Sequence, residues 1–170
     1  SLEATTISRS QGLQYEHNTI WVTGSGKASA QADEATVILG VETEKEIASE
    51  ASSSNAELMS AVINSLESLG LTEEDMRTVS YTIYPVYSKD DYKTIVGYRV
   101  INMIAVKITD MNLIGAVIDK ATENGANRIQ GVSFGLSDEK QSDLKREAYV
   151  AALKDAEEKA SLIAEQLGVK

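Results

Sequence analysis

Residues 24–27 read Gly-Ser-Gly-Lys, and glycine-rich loops that end in lysine can cradle phosphate groups. A phosphate-binding loop also needs a glycine five residues before the second glycine, and a serine or threonine after the lysine to hold magnesium. Here Trp21 and Ala28 occupy those two positions. The spacing therefore predicts a strand-to-strand turn that uses the freedom of glycine at positive φ, and no phosphate site.

The chain has one histidine, His17, and no cysteine, so it has almost no residues for catalytic or metal sites that need these side chains. A Ser-His-Asp triad or a histidine-ligated zinc site would have to use His17. That residue falls in the polar stretch 1–18, which we interpret as a flexible leader that cannot hold a base within reach of a nucleophile. The sequence predicts no catalytic residue, no metal ligand and no cofactor.

Acidic clusters are the remaining candidates for proton transfer or cation binding. General acid–base pairs need two carboxylates in different environments across a cleft, whereas sequence neighbours mostly point apart. None of the clusters has the alternating spacing around a central glycine that a calcium loop requires. We interpret them as helix-terminal charges and solvated turns, with weak, non-specific cation binding at 90–91 left open. They lie at 33–34, 73–75, 90–91 and 138–139.

Tyrosine is the one chemically distinctive residue that clusters, since five of the seven tyrosines fall between residues 81 and 98. With the side-chain period of a strand, Tyr81 and Tyr84 lie on opposite faces. Two interpretations stay open, namely cross-strand packing within the monomer and contact with another subunit or partner. The sequence predicts a possible interaction surface formed by Tyr84, Tyr87, Tyr92, Tyr98 and Arg99.

Apolar residues at a period of two predict the strands that position these groups. The predicted strands are 19–23, 35–46, 77–87, 95–108 and 129–136, and the polar segment 88–94 is predicted as a long hairpin loop. The middle three are well above the usual length of about five or six residues. Strands of that length can serve two lobes or project as an arm.

Apolar residues at a period of 3.6 predict three helices. The first runs from about Ala48 and ends at Gly70, and the second begins near Asp110 or Asn112 and stops before Asn124. The third runs over about 138–167, and its small apolar residues predict close packing on a sheet or a helix. A turn with the character of a capping box is predicted at 72–75.

The predicted order β-β-α-β-β-α-β-α favours an α+β fold with helices packed on a mainly antiparallel sheet as a two-layer sandwich. We expect two lobes that share the long strands, the first about 19–109 and the second about 110–170. Because the second lobe has one private strand, we expect a closing strand beyond Lys170 or from another subunit.

The composition and charge of the chain argue against some classes of binding partner and location. The 170 residues include 26 acidic and 16 basic ones, which gives a net charge of −10. An acidic surface repels phosphate backbones, so no nucleic-acid partner is expected. No apolar run approaches the roughly 20 residues of a transmembrane helix, so no such segment is expected. The polar start is not a signal peptide, although a removed export signal stays open.

A series of short motifs extends over about residues 19–168. It includes Thr-Gly-Ser-Gly at 23–26, Ala-Asp-Glu-Ala at 32–35, Gly-Tyr-Arg-Val at 97–100, Gly-Ala-Asn at 125–127 and Asp-Ala at 155–156. Between them, 78–87 carries the pattern Thr-x-x-Tyr-x-Ile-x-Pro-x-Tyr. In number and order these motifs resemble the SIMPL-domain family, long catalogued as a domain of unknown function that includes periplasmic immunogenic and oxidative-stress-defence proteins.

The resemblance implies a two-lobed α+β protein located beyond the cytoplasmic membrane, in the periplasm, secreted or associated with the envelope. It implies ring- or channel-like homo-oligomers for some members, and it carries over no catalytic residue. Typical members continue beyond the last helix, so it also implies a C-terminally truncated chain, and it leaves open whether oligomerisation needs residues beyond Lys170.

Together these observations predict a non-enzymatic envelope protein that self-assembles or binds a partner through its long strands and the tyrosine-bearing hairpin. Two alternatives stay open. One is a carrier of a small ligand or cation in a groove, and the other is an enzyme of oxidant defence that uses carboxylate or tyrosine groups.

Overall fold

Four long strands form the main sheet of the computed structural model, which describes residues 2–4 and 19–169. The strands are β3 (Glu34–Lys45), β4 (Met76–Tyr87), β5 (Ile95–Ile108) and β6 (Arg128–Gly135). Their order across the sheet is β4-β5-β3-β6, and every pair is antiparallel. The prediction of a mainly antiparallel sheet is confirmed, and each of these strands lies within a residue or two of its predicted bounds.

Alternation along β3 decides which face of the sheet is buried. Val37, Leu39 and Val41 are fully buried, whereas side chains of the other face, such as Ile38, are partly exposed. The direct partners of the three buried residues on β5 share their face, because opposed residues of an antiparallel pair point to the same side. Each buried Val, Leu or Ile side chain contributes roughly 1.5–3 kcal/mol of hydrophobic free energy. The partners on β5 are Val106, Ile104 and Asn102.

Two helices cover this face, namely α1 (Ala48–Glu67) and α2 (Ile114–Glu123). Val62 and Leu66 of α1 and Val117 of α2 are fully buried in the same core as the β3 residues. Asn55 of α1 is also fully buried, and its Nδ2 donates to the backbone oxygens of Val41 and Val100. The two-layer sandwich predicted from the sequence is therefore confirmed, with the Asn55 side chain helping to fix α1 on the sheet.

The ends of these helices depart slightly from prediction. α1 ends at Glu67 and not at Gly70, which follows in a left-handed conformation with a φ of 90°. A short 3-10 turn at 111–113 precedes α2, and the side chain of Asp110 accepts the backbone N–H of Asn112 at its start. The capping box predicted at 72–75 is present, since the Asp75 carboxylate accepts the N–H of Thr72 at 2.9 Å.

The remaining elements are β1 (Leu2–Ala4), β2 (Gly26–Ala28) and α3 (Asp138–Leu167), which starts and ends where predicted. β1 and β2 pair antiparallel, and Ala28 packs against Leu144 and Ala148 of α3. From β2 onward the order of elements is the predicted β-β-α-β-β-α-β-α. The strand predicted at 19–23 does not form at those residues, and the short strand β2 begins at Gly26 instead. Apart from β1, the predicted leader 1–18, with His17, lies outside the described residues.

The glycines at 24 and 26 do not form the predicted turn, since neither has a positive φ. They lie against α3 instead, where a Cβ on Gly24 would overlap the carbonyl oxygen of Ala152. A Cβ on Gly26 would likewise overlap that of Ala148. The close packing predicted for the small residues of α3 is confirmed, and its partner is this glycine segment.

The chain divides into two compact units. One, the sheet unit, spans residues 32–135, and the other combines the residues before 32 with those after 135. The predicted lobes, about 19–109 and about 110–170, stay a prediction about domains. The compact units have other bounds because β6 pairs with β3 and so belongs to the sheet unit.

Gly24→Ala should destabilise the contact between residues 23–26 and α3 by about 1–3 kcal/mol, because the added methyl group has no space. Thermal unfolding followed by the fluorescence of Trp21, the single tryptophan, would report the loss. Gly115→Ala in α2 is the control, since its Cβ meets nothing within 4 Å and alanine favours a helix. Equal stability of Gly24→Ala and the parent chain would contradict this packing.

Candidate functional site

The β4–β5 hairpin extends beyond the strand that supports it. Pairing between β3 and β5 stops at Lys45 opposite Tyr98, whereas β4 and β5 continue to Tyr87 opposite Ile95. The end of the hairpin is therefore a two-stranded ribbon. We call residues 81–98 the tyrosine arm. Its outer part, residues 86–97, projects beyond β3, which is one of the two outcomes that the strand lengths left open, whereas Tyr81 and Tyr84 lie where β5 is still paired with β3.

Both faces of the tyrosine arm are exposed. Tyr81 lies opposite Asn102 on the side of the helices and is 50% exposed, while Tyr84 lies opposite Arg99 on the other side and is 49% exposed. This is the opposite-face arrangement that the period of two predicted. Leu39, in the middle of the sheet, is fully buried, so among the described residues the arm is one of the more exposed parts of the sheet unit.

The five residues predicted as an interaction surface do not all share one face. Tyr84 and Arg99 are direct cross-strand neighbours, whereas Tyr98 lies opposite Pro85 and Lys45 on the helix side and is partly buried. Tyr87 and Tyr92 are 47% and 78% exposed. Tyr98 and Arg99 do not point outward together, because adjacent residues of a strand point to opposite faces.

A break in the register marks the base of the hairpin end. Val86 lies opposite Gly97 but Tyr87 lies opposite Ile95, so one residue of β5 is left without a direct partner. A Cβ on Gly97 would lie 2.9 Å from the backbone oxygen of Lys45. A glycine at this point of the strand therefore accompanies both a bulge and a close backbone approach, where β3 ends.

The loop of the tyrosine arm is ordered by hydrogen bonds around Asp91. Its carboxylate accepts the backbone N–H groups of Lys93 and Thr94, at 2.9 and 3.0 Å, as well as the hydroxyl of Thr94. These bonds, that of the Thr94 hydroxyl foremost, lower the pKa of Asp91 to about 2. Tyr92, with a φ of 54°, is thereby held outward at the tip. The acids at 90–91 form a turn, as one of the two interpretations expected.

Arg99 takes part in a charged network on the open face of the sheet. Its guanidinium lies 3.1 Å from the carboxylate of Glu42 and 2.8 Å from that of Glu44. Glu42 also accepts the Nε of Arg128 at 2.6 Å. The hydrogen bond that Arg99 donates to Glu44 and the charges of both acids raise the pKa of Arg99 further above its usual value. Two carboxylates and two guanidinium groups are thus largely neutralised by one another.

Asn127 has a role that the sequence did not predict. Asparagine after Gly-Ala at 125–126 is typical of a turn position tolerant of the left-handed conformation, but the positive φ belongs to Gly125. The Asn127 side chain accepts the N–H of Glu42 at 2.7 Å and donates to the backbone oxygen of Glu42 at 2.9 Å. It therefore continues the β3–β6 pairing beyond the start of β6. An open cavity of about 400 Å³ lies beside it, lined by Glu42, Glu44, Asn127 and Arg128.

A second polar cluster holds the glycine segment on α3. The Asp155 carboxylate accepts the backbone N–H of Ser25 and the Nζ of Lys159, both at 2.6 Å. Lys159 also donates to the backbone oxygen of Thr23 at 3.1 Å. The bonds from Lys159 and then Ser25 lower the pKa of Asp155, so this carboxylate stays ionised and acts as a fixed acceptor. Sequence reasoning noted both motifs, at 23–26 and 155–156, but could not bring them together.

The described part of the chain contains no group of three or more His, Cys, Asp or Glu side chains arranged to hold a metal ion. Within the same residues, no helix combines the length and the hydrophobicity needed to cross a bilayer.

Comparison with known proteins identifies the relatives of this chain. The SIMPL family model, described as a protein of unknown function (DUF541), matches residues 20–170. The 26 kDa periplasmic immunogenic proteins of Brucella melitensis and Brucella abortus are each 31% identical over 156 residues, or 88% of this chain. The uncharacterized protein YggE of Escherichia coli is 26% identical over 152 residues. The chain spans 62% of the length of each of these relatives.

Asn127→Ala should lower the free energy of unfolding of the sheet unit by about 1–2 kcal/mol, because both backbone groups of Glu42 lose their partner. Urea denaturation measures the difference. Asn124→Ala is the control, since its side chain bonds only the last turn of α2 at Lys120. A loss no larger than that of the control would show that Asn127 does not secure the end of the β3–β6 pairing.

The loop of the tyrosine arm should keep its structure in acid. Because the pKa of Asp91 is depressed, the contribution of its hydrogen bonds is complete above pH 3.8 and is lost as the pH falls through about 2. In an NMR titration, the amide proton of Thr94 should shift with a midpoint near pH 2, and Asp91→Asn should abolish that transition. A midpoint near 3.8 would mean that the loop is not held by this carboxylate.

Proposed function

Because the chain belongs to the SIMPL family, whose function is unknown, we propose that it is a non-enzymatic binding and self-assembly module of the cell envelope. Its contact surface is the tyrosine arm, and the contact is made with further copies of the same chain. The observation that carries this proposal is the exposure of tyrosine side chains on both faces of an ordered hairpin whose end projects beyond β3.

The composition of the tyrosine arm supports a contact role. Tyrosine is enriched at the centres of interfaces because it buries a large, rigid area and still offers a hydroxyl group. Aliphatic side chains lie among the tyrosines and extend the apolar surface, with Ile83 46%, Ile95 46% and Val96 51% exposed. Contiguous apolar surface of this kind marks interaction sites on otherwise polar proteins.

The hydrogen bonding of the arm supports a self-contact in particular. β4 lies at the edge of the sheet and has β5 as its partner on one side. Edge strands offer unpaired backbone groups that a strand from another molecule can use. Pro85 lacks an N–H and limits this pairing to the part of β4 before it, so the tip is left to contact through side chains.

The ionisable groups next to the tyrosine arm support a role without catalysis. Arg99, Glu42, Glu44 and Arg128 are engaged with one another, which leaves little unsatisfied charge to bind or transform a substrate. An extracytoplasmic location, periplasmic, secreted or envelope-associated, is part of the proposal. Its support is the name of the Brucella relatives, which are called periplasmic immunogenic proteins.

Two other functions remain distinguishable by experiment. A carrier of a small ligand or cation would use a groove such as the cavity beside Asn127, and its ligand would raise the melting temperature in a thermal-shift screen. An enzyme of oxidant defence would turn over peroxide. Neither result is expected here.

Replacing Tyr84 and Tyr92 by serine should weaken self-association at least about tenfold, because aromatic anchors dominate the energy of such contacts. Sedimentation velocity across a range of concentrations measures the change, and circular dichroism checks the fold. Phe134→Ser is the matched control, since Phe134 is 63% exposed on β6, away from the arm. Unchanged association in the double variant, or a strictly monomeric parent chain, would refute the arm as a self-contact.

A further inference from the structure

The sequence contains a single Asn-Gly dipeptide, at residues 124–125, and it follows directly on the last residue of α2. The side-chain carbonyl of an asparagine can react with the backbone nitrogen of the next residue. Glycine favours this reaction because it has no Cβ to hinder the approach. Every other asparagine of the chain precedes a residue that carries a side chain. Asn124 is therefore the asparagine with the most reactive local sequence.

The reaction is a deamidation, which needs no enzyme and consumes only water. The nitrogen of Gly125 gives up its proton and attacks Cγ of Asn124, and a new C–N bond closes a succinimide ring. The bond between Cγ and Nδ2 breaks, and ammonia leaves. Water then opens the ring at one of its two carbonyl groups, which gives either aspartate or isoaspartate, whose main chain runs through the former side chain. Both products carry a new carboxylate.

The fold leaves the reacting atoms under weak local restraint. Asn124 and Gly125 are partly exposed, and Asn124 has left the helical conformation, with a φ of −105° and a ψ of 15°. The N–H of Gly125 donates to the backbone oxygen of Thr122 at 3.3 Å, which is longer than the usual distance of about 2.9–3.0 Å. Nδ2 of Asn124 donates to the backbone oxygen of Lys120 at 2.8 Å. Both bonds belong to the last turn of α2, and terminal turns open without unfolding of the core.

Asn64 is the natural comparison, because it is also exposed and precedes a small residue, Ser65. It lies inside α1, where the N–H of Ser65 is bonded to the carbonyl group four residues earlier. Ser65 is buried, and its hydroxyl donates to the backbone oxygen of Val62 at 2.7 Å. Ring closure at Asn64 therefore requires α1 to open, whereas ring closure at Asn124 requires only its terminal turn to open.

We infer that Asn124 is a site of spontaneous deamidation in the folded chain, and that the product loosens the junction between α2 and β6. This inference does not depend on the proposed function, since it uses neither the tyrosine arm nor self-association. The site is chemical in origin, but the structure decides both its rate and its effect.

The structure supplies three reasons for the loosening. The new carboxylate cannot donate to the backbone oxygen of Lys120, and it lies at the end of α2 where the helix dipole is negative. Isoaspartate also lengthens the main chain next to Ala126, whose N–H donates to the backbone oxygen of Ala121 at 2.9 Å. The residue after it is Asn127, which secures the end of the β3–β6 pairing. A shift at residue 124 therefore reaches the sheet within three residues.

Peptide mapping by mass spectrometry tests the site. After incubation of the full chain at mildly alkaline pH, conversion at Asn124 should be at least about tenfold faster than at Asn64, because a terminal turn opens more readily than the inside of a helix. It should be about tenfold slower than in the chain unfolded in guanidinium chloride, because the last turn must first lose its hydrogen bonds. Chromatography separates the aspartate and isoaspartate peptides. An unmodified Asn124 in the folded chain, after a time in which the unfolded chain is converted, would overturn the inference, and so would equal rates at Asn124 and Asn64.

Urea denaturation tests the effect on the junction. The incubated parent chain should unfold at a lower urea concentration than the fresh chain. Asn124→Gln should prevent both the modification and this loss, because the extra methylene makes ring closure much slower, while Asn64→Gln, the matched control, should prevent neither. Circular dichroism of the fresh variants confirms that both fold. A modified parent chain as stable as the fresh one, or an incubated Asn124→Gln chain that loses as much stability as the parent, would overturn the loosening of the junction.

Discussion

The sheet unit depends on one constraint, namely that β3 is hydrogen-bonded on both of its edges. A strand in that position needs a partner for every backbone group along its length and places alternate side chains in the core. β5 supplies the backbone partners on one edge of β3. On the other edge β6 supplies them as far as Gly40, which lies opposite Arg128, the first residue of β6. Beyond that point the side chain of Asn127 takes over at Glu42. The core under α1 and α2 follows, because the buried set of β3 sets the register of its neighbours.

The length of β3 also decides where the hairpin becomes a free surface. β4 and β5 continue past Lys45, and from there neither face is supported by a third strand. Tyr87 and Tyr92 lie beyond that point and are 47% and 78% exposed, whereas Tyr81 and Tyr84 lie on the edge strand β4 where β5 is still paired with β3. Glycine at position 97 permits the close approach at the end of β3, and the Asp91 turn closes the loop. Exposure of the outer part of the arm is thus a result of unequal strand lengths and needs no unusual sequence.

The second compact unit, formed by the residues before 32 and after 135, is stabilised by other interactions than the sheet unit. Its apolar core is small, with Ala28, Leu144 and Ala148 as the buried residues. Close backbone packing and charge-assisted hydrogen bonds also stabilise this unit. Gly24 and Gly26 let residues 23–26 lie against α3, and Asp155 and Lys159 hydrogen-bond to their backbone. Among the described residues, large apolar side chains of the 30-residue helix α3, such as Leu153 and Leu167, stay exposed.

Local periodicity in the sequence was sufficient to predict the helices, the long strands and the antiparallel two-layer class, since apolar spacing directly reports which side of an element is buried. It also predicted the alternation of Tyr81 and Tyr84. Such reasoning could not predict that Gly24 and Ser25 lie against Asp155, because a contact across 130 residues leaves no local pattern. The turn predicted at 24–26 is wrong for the same reason. Glycine is found where two backbones approach closely as well as where φ is positive, and local spacing does not distinguish the two. Nor could periodicity show that Arg99 is neutralised by Glu42 and Glu44, or that Asn127 completes a strand. Those roles exist only once β3, β5 and β6 lie side by side, and their register is a property of the tertiary structure.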